Sequence, residues 1–256
     1  MALHLDNIIL EMENHKKIAL VTGANRGLGL EVCRQLGQKD ITVLLGARDQ
    51  ASGQHAVDRL KAEGIDAHLI LLDIADAESI LKAAQLVAGQ FERLDILVNN
   101  AGIQAQQQAP SVITAELLRN FLEINFIGHV LTTQAFLPLL KKSPSGRIVN
   151  MSSSIGSMTT MGDSVHTNPR IAAATPLGYS TSKAALNMFT VLLAKELKTA
   201  NIKVNSADPG RTQTDMGGSE APNTIEYGAR PAVWLATLDE NGPTGGFFSH
   251  NKVNPW

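Results

Sequence analysis

Short apolar runs recur along the chain and alternate with longer segments in which apolar residues repeat every three or four positions. Runs that are apolar on both faces are typical of strands buried in a parallel sheet, and the longer spacing indicates helices that cover it. The runs predict strands at residues 18–21, 41–45, 67–72, 96–98, 148–151, 203–206 and 246–248. The spacing predicts helices near residues 28–39, 51–63, 77–90, 114–141 and 176–198. This alternation predicts an α/β protein, a doubly wound domain with a mostly parallel sheet covered by helices on both faces.

The alternation of predicted strands and helices is not interrupted by a domain boundary. No internal repeat, low-complexity tract or linker divides residues 16–256, so we expect one domain there, as is common for α/β chains of this size. Residues 1–15 carry three acidic side chains and no basic leader region, which predicts a short N-terminal extension rather than a signal peptide. No apolar run is long enough to predict a membrane span.

Composition narrows the classes of function. The formal net charge is −2 and no basic block occurs, so neither nucleic acid nor an anionic membrane is an expected partner. Cys33 is the single cysteine, which excludes an internal disulfide and fits a reducing, cytoplasmic compartment. The seven histidines show no metal-ligand spacing, so no metal site is predicted.

A glycine-rich turn joins the first predicted strand to the first helix. Glycines allow a tight turn and close approach of backbone amides to a pyrophosphate, and the helix N-terminus favours negative charge. This predicts a Rossmann-type dinucleotide site; the alternative is an ordinary strand–helix turn with three glycines. The expected cofactor-binding residues of the turn are Gly23, Asn25, Arg26, Gly27, Leu28 and Gly29.

Cofactor preference is predicted from the end of the second strand. NAD-binding folds place a carboxylate there, whereas an arginine accommodates a 2′-phosphate. Ala47 offers no carboxylate and Arg48 offers a planar cation, which favours NADP(H), with Arg26 able to approach the same group. The alternative is that both arginines are solvated surface residues. Asp49 either partly neutralises Arg48 or caps the next helix.

A tyrosine and a lysine form the candidate chemical pair. Tyr179 and Lys183 are four residues apart and share one face if residues 176–198 are helical. A phenol has a pKa near ~10, and an opposite charge lowers the pKa of an acid by roughly 1–3, which suits general acid–base work. A chance Y-x-x-x-K pattern on a surface helix is the alternative for this pair alone.

Several motifs together resemble the short-chain dehydrogenase/reductase family from about residue 16 onward. They are T-G-x-x-x-G-x-G at 22–29, N-N-A-G at 99–102, Asn125, Ser153, Y-x-x-x-K at 179–183 and Pro209-Gly210. The segments at 46–49, 214–216 and 242–256 are similar to the NADPH-dependent carbonyl reductases of that family.

The resemblance implies roles for the catalytic candidates. Tyr179 would protonate the carbonyl oxygen, and Lys183 would lower the pKa of Tyr179 and hold the nicotinamide ribose. Ser153 would hydrogen-bond the substrate oxygen; the family's S-x-x-G register selects it over Ser152 and Ser154. Asn125 would anchor a water leading from Lys183 to solvent, its alternative being an ordinary packing asparagine.

The resemblance also implies further contacts to the cofactor. Those on the adenosine side are Asp73, Ile74, Asn100, Ala101 and Gly102, with Asp73 alternatively a helix-start residue and Asn99 bracing neighbouring strands. Those over the nicotinamide are Pro209, Gly210, Thr212 and Thr214.

Two departures from the family pattern concern assembly and substrate. Ser153 and Tyr179 lie further apart than in compact members, and the added segment 158–176 is expected to be a loop. Such insertions in the monomeric carbonyl reductases obstruct a dimerisation helix, which favours a monomer over a homo-oligomer here. Arg211 stands where those reductases have an aromatic residue, so the substrate preference stays open.

The leading hypothesis is an enzyme that reduces a small-molecule ketone or aldehyde with NADPH. Two alternatives are an NADP-dependent alcohol dehydrogenase working oxidatively and a dinucleotide-binding redox sensor without turnover. The substrate wall is expected in loops 103–111, 155–178 and 215–230, where Tyr227 is a candidate lining residue.

Overall fold

A computed structural model describes residues 16–104, 108–163, 176–250 and 252–256. The strands are β1 Ile18–Val21, β2 Thr42–Ala47, β3 Ala67–Leu71, β4 Ile96–Asn99, β5 Gly146–Met151, β6 Ile202–Ala207, β7 Phe247–Ser249 and β8 Lys252–Val253. They form one eight-stranded sheet in the order β3-β2-β1-β4-β5-β6-β7-β8. Every neighbouring pair is parallel except β7 and β8, which are antiparallel. The predicted mostly parallel, doubly wound sheet is confirmed.

The helices cover the sheet in two layers. They are α1 Gly27–Gly37, α2 Gln50–Ala62, α3 Ala77–Phe91, α4 Ala115–Leu122, α5 Gly128–Leu140, α6 Met158–Gly162, α7 Leu177–Glu196 and α8 Ile225–Ala236, with a π-helical turn Glu123–Ile127 between α4 and α5. Helices α1, α2 and α8 pack on one face of the sheet, and α3, α5 and α7 pack on the other. The apolar runs of the strands are buried because both faces are covered.

Side-chain caps start several of these helices. Asp49 accepts a hydrogen bond from the Ser52 amide at 2.8 Å and begins α2, and Thr114 accepts one from Leu117 and begins α4. Each cap satisfies an amide that has no partner within the helix. Asp49 therefore caps α2, and its hydrogen bonds with Ser52, helped by the charge of Arg48, hold the pKa of its carboxyl below the usual value.

Helix α8 and strand β8 were not predicted. Helix α8 contains Gly228 and Pro231 and overlaps the predicted loop 215–230, so the loop prediction is wrong from residue 225 onward. The helix forms because Thr224 caps it and because Ala229 and Ala232 are fully buried against α1. Strand β8 has only two residues, both exposed, and is too short to give a periodic signal.

The predicted loop 158–176 begins with a helix. Ser157 caps α6 by accepting from the Thr160 amide at 3.0 Å, so residues 158–162 are helical rather than loop. The remainder of that loop prediction, at residues 164–175, lies outside the described residues, as do residues 1–15.

The topology brings the motif segments to one edge of the sheet. Strand β1 lies between β2 and β4, so the order of the strands reverses beside β1. In open α/β sheets, ligands bind outside the carboxyl ends of the strands at such a point. The segments that follow β1 to β6 all leave the sheet at this edge. In the described part of the chain, no helix is long and apolar enough to cross a membrane.

Candidate active site

Helix α7 carries the tyrosine and the lysine of the Y-x-x-x-K motif. Both side chains are buried, and the Lys183 ammonium lies 5.6 Å from the centre of the Tyr179 ring. Tyr179 also packs edge-on against Phe121 of α4. The expected sharing of one helix face therefore brings the two groups together at the carboxyl edge of the sheet.

One of the three serines after β5 pairs with the tyrosine. The Ser153 side chain acts on the Tyr179 hydroxyl and lowers its pKa. Ser152 is buried with its hydroxyl unpartnered among the described residues, and Ser154 acts on the Asp208 carboxyl instead. Ser153 is also the serine that the S-x-x-G register indicates.

The protein's own groups raise the pKa of the Tyr179 hydroxyl. Burial is the largest cause, the charge of Asp208 adds to it, and the hydrogen bond with Ser153 opposes both. The net direction is opposite to the lowering that was expected from Lys183, because burial removes the water that would stabilise a phenolate.

Lys183 is itself a buried cation without a carboxylate partner among the described residues. Its Nζ donates a hydrogen bond to the Met151 carbonyl oxygen at 2.8 Å. Burial lowers the pKa of this ammonium from 10.5 to about 8. A lysine in this state can hold polar groups of a ligand and exchange a proton near neutral pH.

Asn125 lies within the π-helical turn, a departure from regular helix that often marks functional sites. Its amide Nδ2 donates to the Ile103 carbonyl at 3.0 Å and to Ser182 Oγ at 3.2 Å, and its Oδ1 accepts from the Ile103 amide. A Cβ added at Gly102 would lie 3.1 Å from Asn125 Oδ1 and 3.8 Å from Lys183 Nζ. The structure therefore brings Asn125, Gly102 and Lys183 to one place.

The glycine turn has the conformation that its residues require. Gly23 and Gly27 have φ of 62° and 56°, in the left-handed region that favours glycine. A Cβ at Gly23 would lie 2.8 Å from the Ala101 Cα, and one at Gly27 would lie 3.7 Å from Thr214 Cγ2. The turn thus packs against the β4 segment on one side and faces Thr214 on the other.

The two asparagines at the end of β4 have different partners. The Asn100 side chain donates to the carbonyl oxygens of Thr22 and Gly23, at 2.8 and 3.2 Å, and so ties β4 to the glycine turn. Asn99 donates to Thr133 Oγ1 and to Asn150 Oδ1 of the neighbouring strand. Bracing of strands by Asn99 is therefore what the structure shows.

Other members of the glycine turn are held from outside it. Asn25 donates to Ser52 Oγ at 3.1 Å, Leu28 packs near Gly228 of α8, and Gly29 leaves no room for a side chain beside Asn100. These contacts fix the turn to α2, α8 and β4.

The two arginines differ in their partners. Arg48 is exposed and makes no hydrogen bond or ion pair with any described residue. Arg26 forms an ion pair with Asp215, at 2.7 Å between Nη1 and Oδ2. Arg48 is therefore available to an anionic group, whereas Arg26 already has a carboxylate.

The segment after β3 contains the two residues expected near the adenine. The Asp73 carboxylate accepts from the Ala75 amide at 3.0 Å and shapes the turn before α3, while Asp76 is the residue that caps the helix. Ile74 is buried, and its carbonyl packs against Gly128.

The segment after β6 forms a folded loop rather than a bare turn. Gly210 has a φ of 65°, and Thr212 is buried with its hydroxyl directed to the Pro209 and Gly210 carbonyls. Thr214 Oγ1 accepts from the Gly217 amide at 3.1 Å. The loop places Thr214 beside Gly27 of the glycine turn.

Sequence reasoning missed two buried titratable groups of this region. His129, one turn after Asn125, is fully buried, and burial lowers the pKa of its imidazole to about 3. Asp208 directly precedes the Pro-Gly motif. A charged residue at the end of a buried strand was the signal that could have identified Asp208; nothing in the sequence distinguishes His129 from a core residue.

Two features of the protein suit it to bind the phosphate groups of a dinucleotide. Backbone without Cβ atoms lines the turn at Gly23 and Gly27, and Arg48 is a cation without a partner at the end of β2. The described ranges contain no cluster of side chains that could bind a metal ion.

The chain belongs to the short-chain dehydrogenase/reductase family. The family model described as short chain dehydrogenase matches residues 17–224. It is an oxidoreductase family that binds a nicotinamide dinucleotide.

Similar proteins include both dehydrogenases and reductases. The chain is 36% identical to (+)-neomenthol dehydrogenase of Arabidopsis thaliana, over 94% of this chain and 99% of that protein. It is 34% identical to carbonyl reductase [NADPH] 1 of Sus scrofa, over 96% of each. The solved NADPH-bound carbonyl reductase from chicken fatty liver superposes with a TM-score of 0.82 at 30% identity, covering 94% of this chain and 100% of that one.

Proposed function

We propose that the protein reduces a ketone or aldehyde to an alcohol with NADPH. The observation that carries this proposal is the convergence of Ser153, Tyr179 and the Lys183 ammonium at the sheet edge where the glycine turn lies. Two hydroxyls of this kind can share one carbonyl oxygen, one donating a hydrogen bond and the other a proton.

The bound nicotinamide would supply the hydride. Tyr179 would donate its phenolic proton to the carbonyl oxygen, and Ser153 would stabilise the negative charge that develops there. Lys183 would hold the ribose hydroxyls and restore the proton of Tyr179. Asn125 would orient the water through which that proton comes from solvent.

The preference for NADPH over NADH rests on Arg48. Its guanidinium is exposed at the end of β2, has no partner among the described residues and suits bidentate binding of a phosphate. The glycine turn would hold the pyrophosphate, with Arg26 as a second contact to the 2′-phosphate once it leaves Asp215. Asp73, Ile74 and residues 100–102 would border the adenosine, and Pro209 to Thr214 would cover the nicotinamide.

Reduction needs Tyr179 as a protonated phenol, and alcohol oxidation needs it as a phenolate base. Reduction is the proposed direction because the proposed cofactor is NADP(H), which most cells keep reduced. A redox sensor without turnover remains the other alternative, and it gives no physical reason for Ser153, Tyr179 and Lys183 to converge.

The first test is a panel of aldehydes, linear ketones and cyclic ketones, with loss of NADPH absorbance as the readout. We expect NADPH oxidation with at least one carbonyl class and much slower oxidation of NADH.

Loss of Arg48 removes charge-assisted hydrogen bonds, so Arg48→Ala should weaken NADPH binding by roughly 10- to 150-fold.

The control for this variant is NADH, whose binding by Arg48→Ala should stay nearly unchanged. Arg26→Ala should have a smaller effect than Arg48→Ala, because Arg26 already pairs with Asp215. An equal loss of affinity for both cofactors in Arg48→Ala would contradict the 2′-phosphate assignment. A panel in which only alcohols and NADP⁺ react would contradict the reductive direction.

A further inference from the structure

Ser182 lies inside the Y-x-x-x-K motif, between the two residues that the motif names, and its side chain is fully buried. Its Oγ donates a hydrogen bond to the Tyr179 carbonyl oxygen, one turn earlier in α7, at 2.7 Å. The same Oγ accepts a hydrogen bond from Asn125 Nδ2 at 3.2 Å. The Ser182 hydroxyl therefore joins the helix of Tyr179 and Lys183 to the π-helical turn.

The Ser182 hydroxyl also determines which way the Asn125 amide faces. Because its hydrogen points to the Tyr179 carbonyl, the oxygen offers only lone pairs to Asn125, and the amide must turn its NH₂ group towards it. Asn125 Oδ1 then accepts a hydrogen bond from the Ile103 amide at 2.8 Å, and Nδ2 also donates to the Ile103 carbonyl at 3.0 Å. Both N–H groups and the oxygen of Asn125 are satisfied in this one orientation.

The orientation of Asn125 matters because of the group that lies close to it. A Cβ at Gly102 would lie 3.1 Å from Asn125 Oδ1 and 3.8 Å from Lys183 Nζ. Asn125 is fully buried, so bulk water cannot replace a hydrogen bond that its side chain loses. Ser182 thus holds the Asn125 amide in place close to the Lys183 ammonium.

We propose that Ser182 is a positioning residue of the proton relay. Its hydroxyl holds the Asn125 amide in the orientation that orders the water leading from Lys183 to solvent. This inference rests on the proposed function, in which Lys183 restores the proton of Tyr179 through that water. Without the hydroxyl, one N–H group of Asn125 loses its acceptor in a buried place, and the amide tilts away from the relay.

The link between Ser182 and Asn125 is tested without any substrate. The Ile103 amide exchanges its hydrogen when its bond to Asn125 Oδ1 opens, so its exchange rate, measured by NMR, reports how firmly Asn125 is held. Ser182→Ala should raise this rate by roughly 3- to 10-fold, the effect of one lost hydrogen bond. If Ser182→Ala does not fold, Ser182→Cys keeps the volume and offers only a weak acceptor. An exchange rate equal to that of wild type overturns the proposal.

Thr190→Val is the matched control, because Thr190 makes the same kind of contact two turns further along α7. This buried residue has its Oγ1 at 3.0 Å from the Leu186 carbonyl oxygen and accepts a hydrogen bond from Asn150 Nδ2 at 2.8 Å. Thr190→Val should destabilise the protein, as Ser182→Ala does, but leave the exchange rate of the Ile103 amide unchanged. Equally faster exchange in both variants would reflect general stability and would overturn the specific role of Ser182.

The role in the reaction is tested by kcat. A displaced relay group slows proton transfer without touching the cofactor, so Ser182→Ala should lower kcat for carbonyl reduction about 10- to 100-fold and leave the dissociation constant of NADPH nearly unchanged. Asn125→Ala removes the group through which Ser182 acts, so Ser182→Ala should lower kcat no further when added to it. Thr190→Val should keep the kcat of wild type.

Failure of this inference and failure of the proposed function give different results. An unchanged kcat in Ser182→Ala, or its full loss repeated on top of Asn125→Ala, contradicts only the role of Ser182. A wild-type protein that oxidises NADPH with no carbonyl compound contradicts the proposed function, and the relay role with it, whatever the exchange rate of the Ile103 amide.

Discussion

A buried ammonium with one hydrogen bond carries a desolvation penalty in the folded protein. Lys183 sits behind Tyr179 with the Met151 carbonyl as its acceptor, and its pKa falls from 10.5 to about 8. The lower pKa in the folded state means that the unfolded chain binds more protons between these two values. Stability therefore rises with pH from about 8 to 10.5, and below pH 8 the full penalty of about 3 kcal/mol is present.

Lys183→Met should therefore stabilise the protein while abolishing its function. The variant loses the penalty of the buried charge but leaves the Met151 carbonyl unpaired, for a net gain of about 1–2 kcal/mol at pH 7. Urea unfolding at a series of pH values measures this, and the advantage over wild type should shrink as the pH rises above 8. A variant that is less stable than wild type at pH 7 would contradict the account of Lys183.

The sequence was sufficient to find Tyr179 and Lys183, because fixed helix spacing places them on one face. It was not sufficient to predict the direction of the Tyr179 pKa. That direction depends on burial and on Asp208, which is distant in the sequence and close only in the fold.

At the scale of elements, α8 carries a contact that no periodic pattern predicts. A Cβ at Gly228 would lie 2.3 Å from Thr212 Oγ1. Helix α8 and the loop after β6 therefore pack this closely only because residue 228 has no side chain. Strands β1 to β7 and helices α1, α2, α3 and α7 could be predicted because each has an apolar pattern of its own. Helix α8 could not, since its glycine and proline argue against a helix that tertiary packing nevertheless stabilises.

Gly228→Ala should push Thr212 out of place and weaken NADPH binding. A clash of this size in a packed site costs roughly 1–3 kcal/mol of stability. Gly89 in α3 is the matched control, because a Cβ there meets nothing within 4 Å. Gly89→Ala should stabilise the protein by about 0.5–1 kcal/mol and leave NADPH binding unchanged.

The two glycines are compared by thermal unfolding and by fluorescence titration with NADPH. Equal affinities for Gly228→Ala and wild type would show that Thr212 does not contribute to the cofactor site. Loss of affinity in Gly89→Ala would show that the assay reports general stability instead.

At the scale of the whole molecule, we propose a single catalytic domain at residues 16–256 with residues 1–15 as an extension. The cytoplasmic location stays a prediction.

The oligomeric state depends on the exposed surface of α7. This helix exposes Met188 and Leu192, which lie one turn apart. An exposed apolar pair on this helix is the kind of surface that a second copy could cover.

We predict a monomer in dilute solution, because the added segment before α7 is expected to obstruct pairing through that helix. Light scattering should give the mass of one chain, 27.4 kDa. The double variant Met188→Lys with Leu192→Lys should give the same mass as the intact chain. A dimer that the double variant dissociates would overturn the prediction and would place the interface on α7.

The most direct test of the central claim compares Tyr179→Phe with Tyr227→Phe, the variant of the other tyrosine in the chain. For each protein, kcat for reduction of the best carbonyl substrate and the dissociation constant of NADPH are measured under the same conditions. The account predicts that Tyr179→Phe loses turnover and keeps its NADPH affinity, because it removes a proton donor, and that Tyr227→Phe retains turnover. A Tyr179→Phe protein with the kcat of wild type would contradict the account.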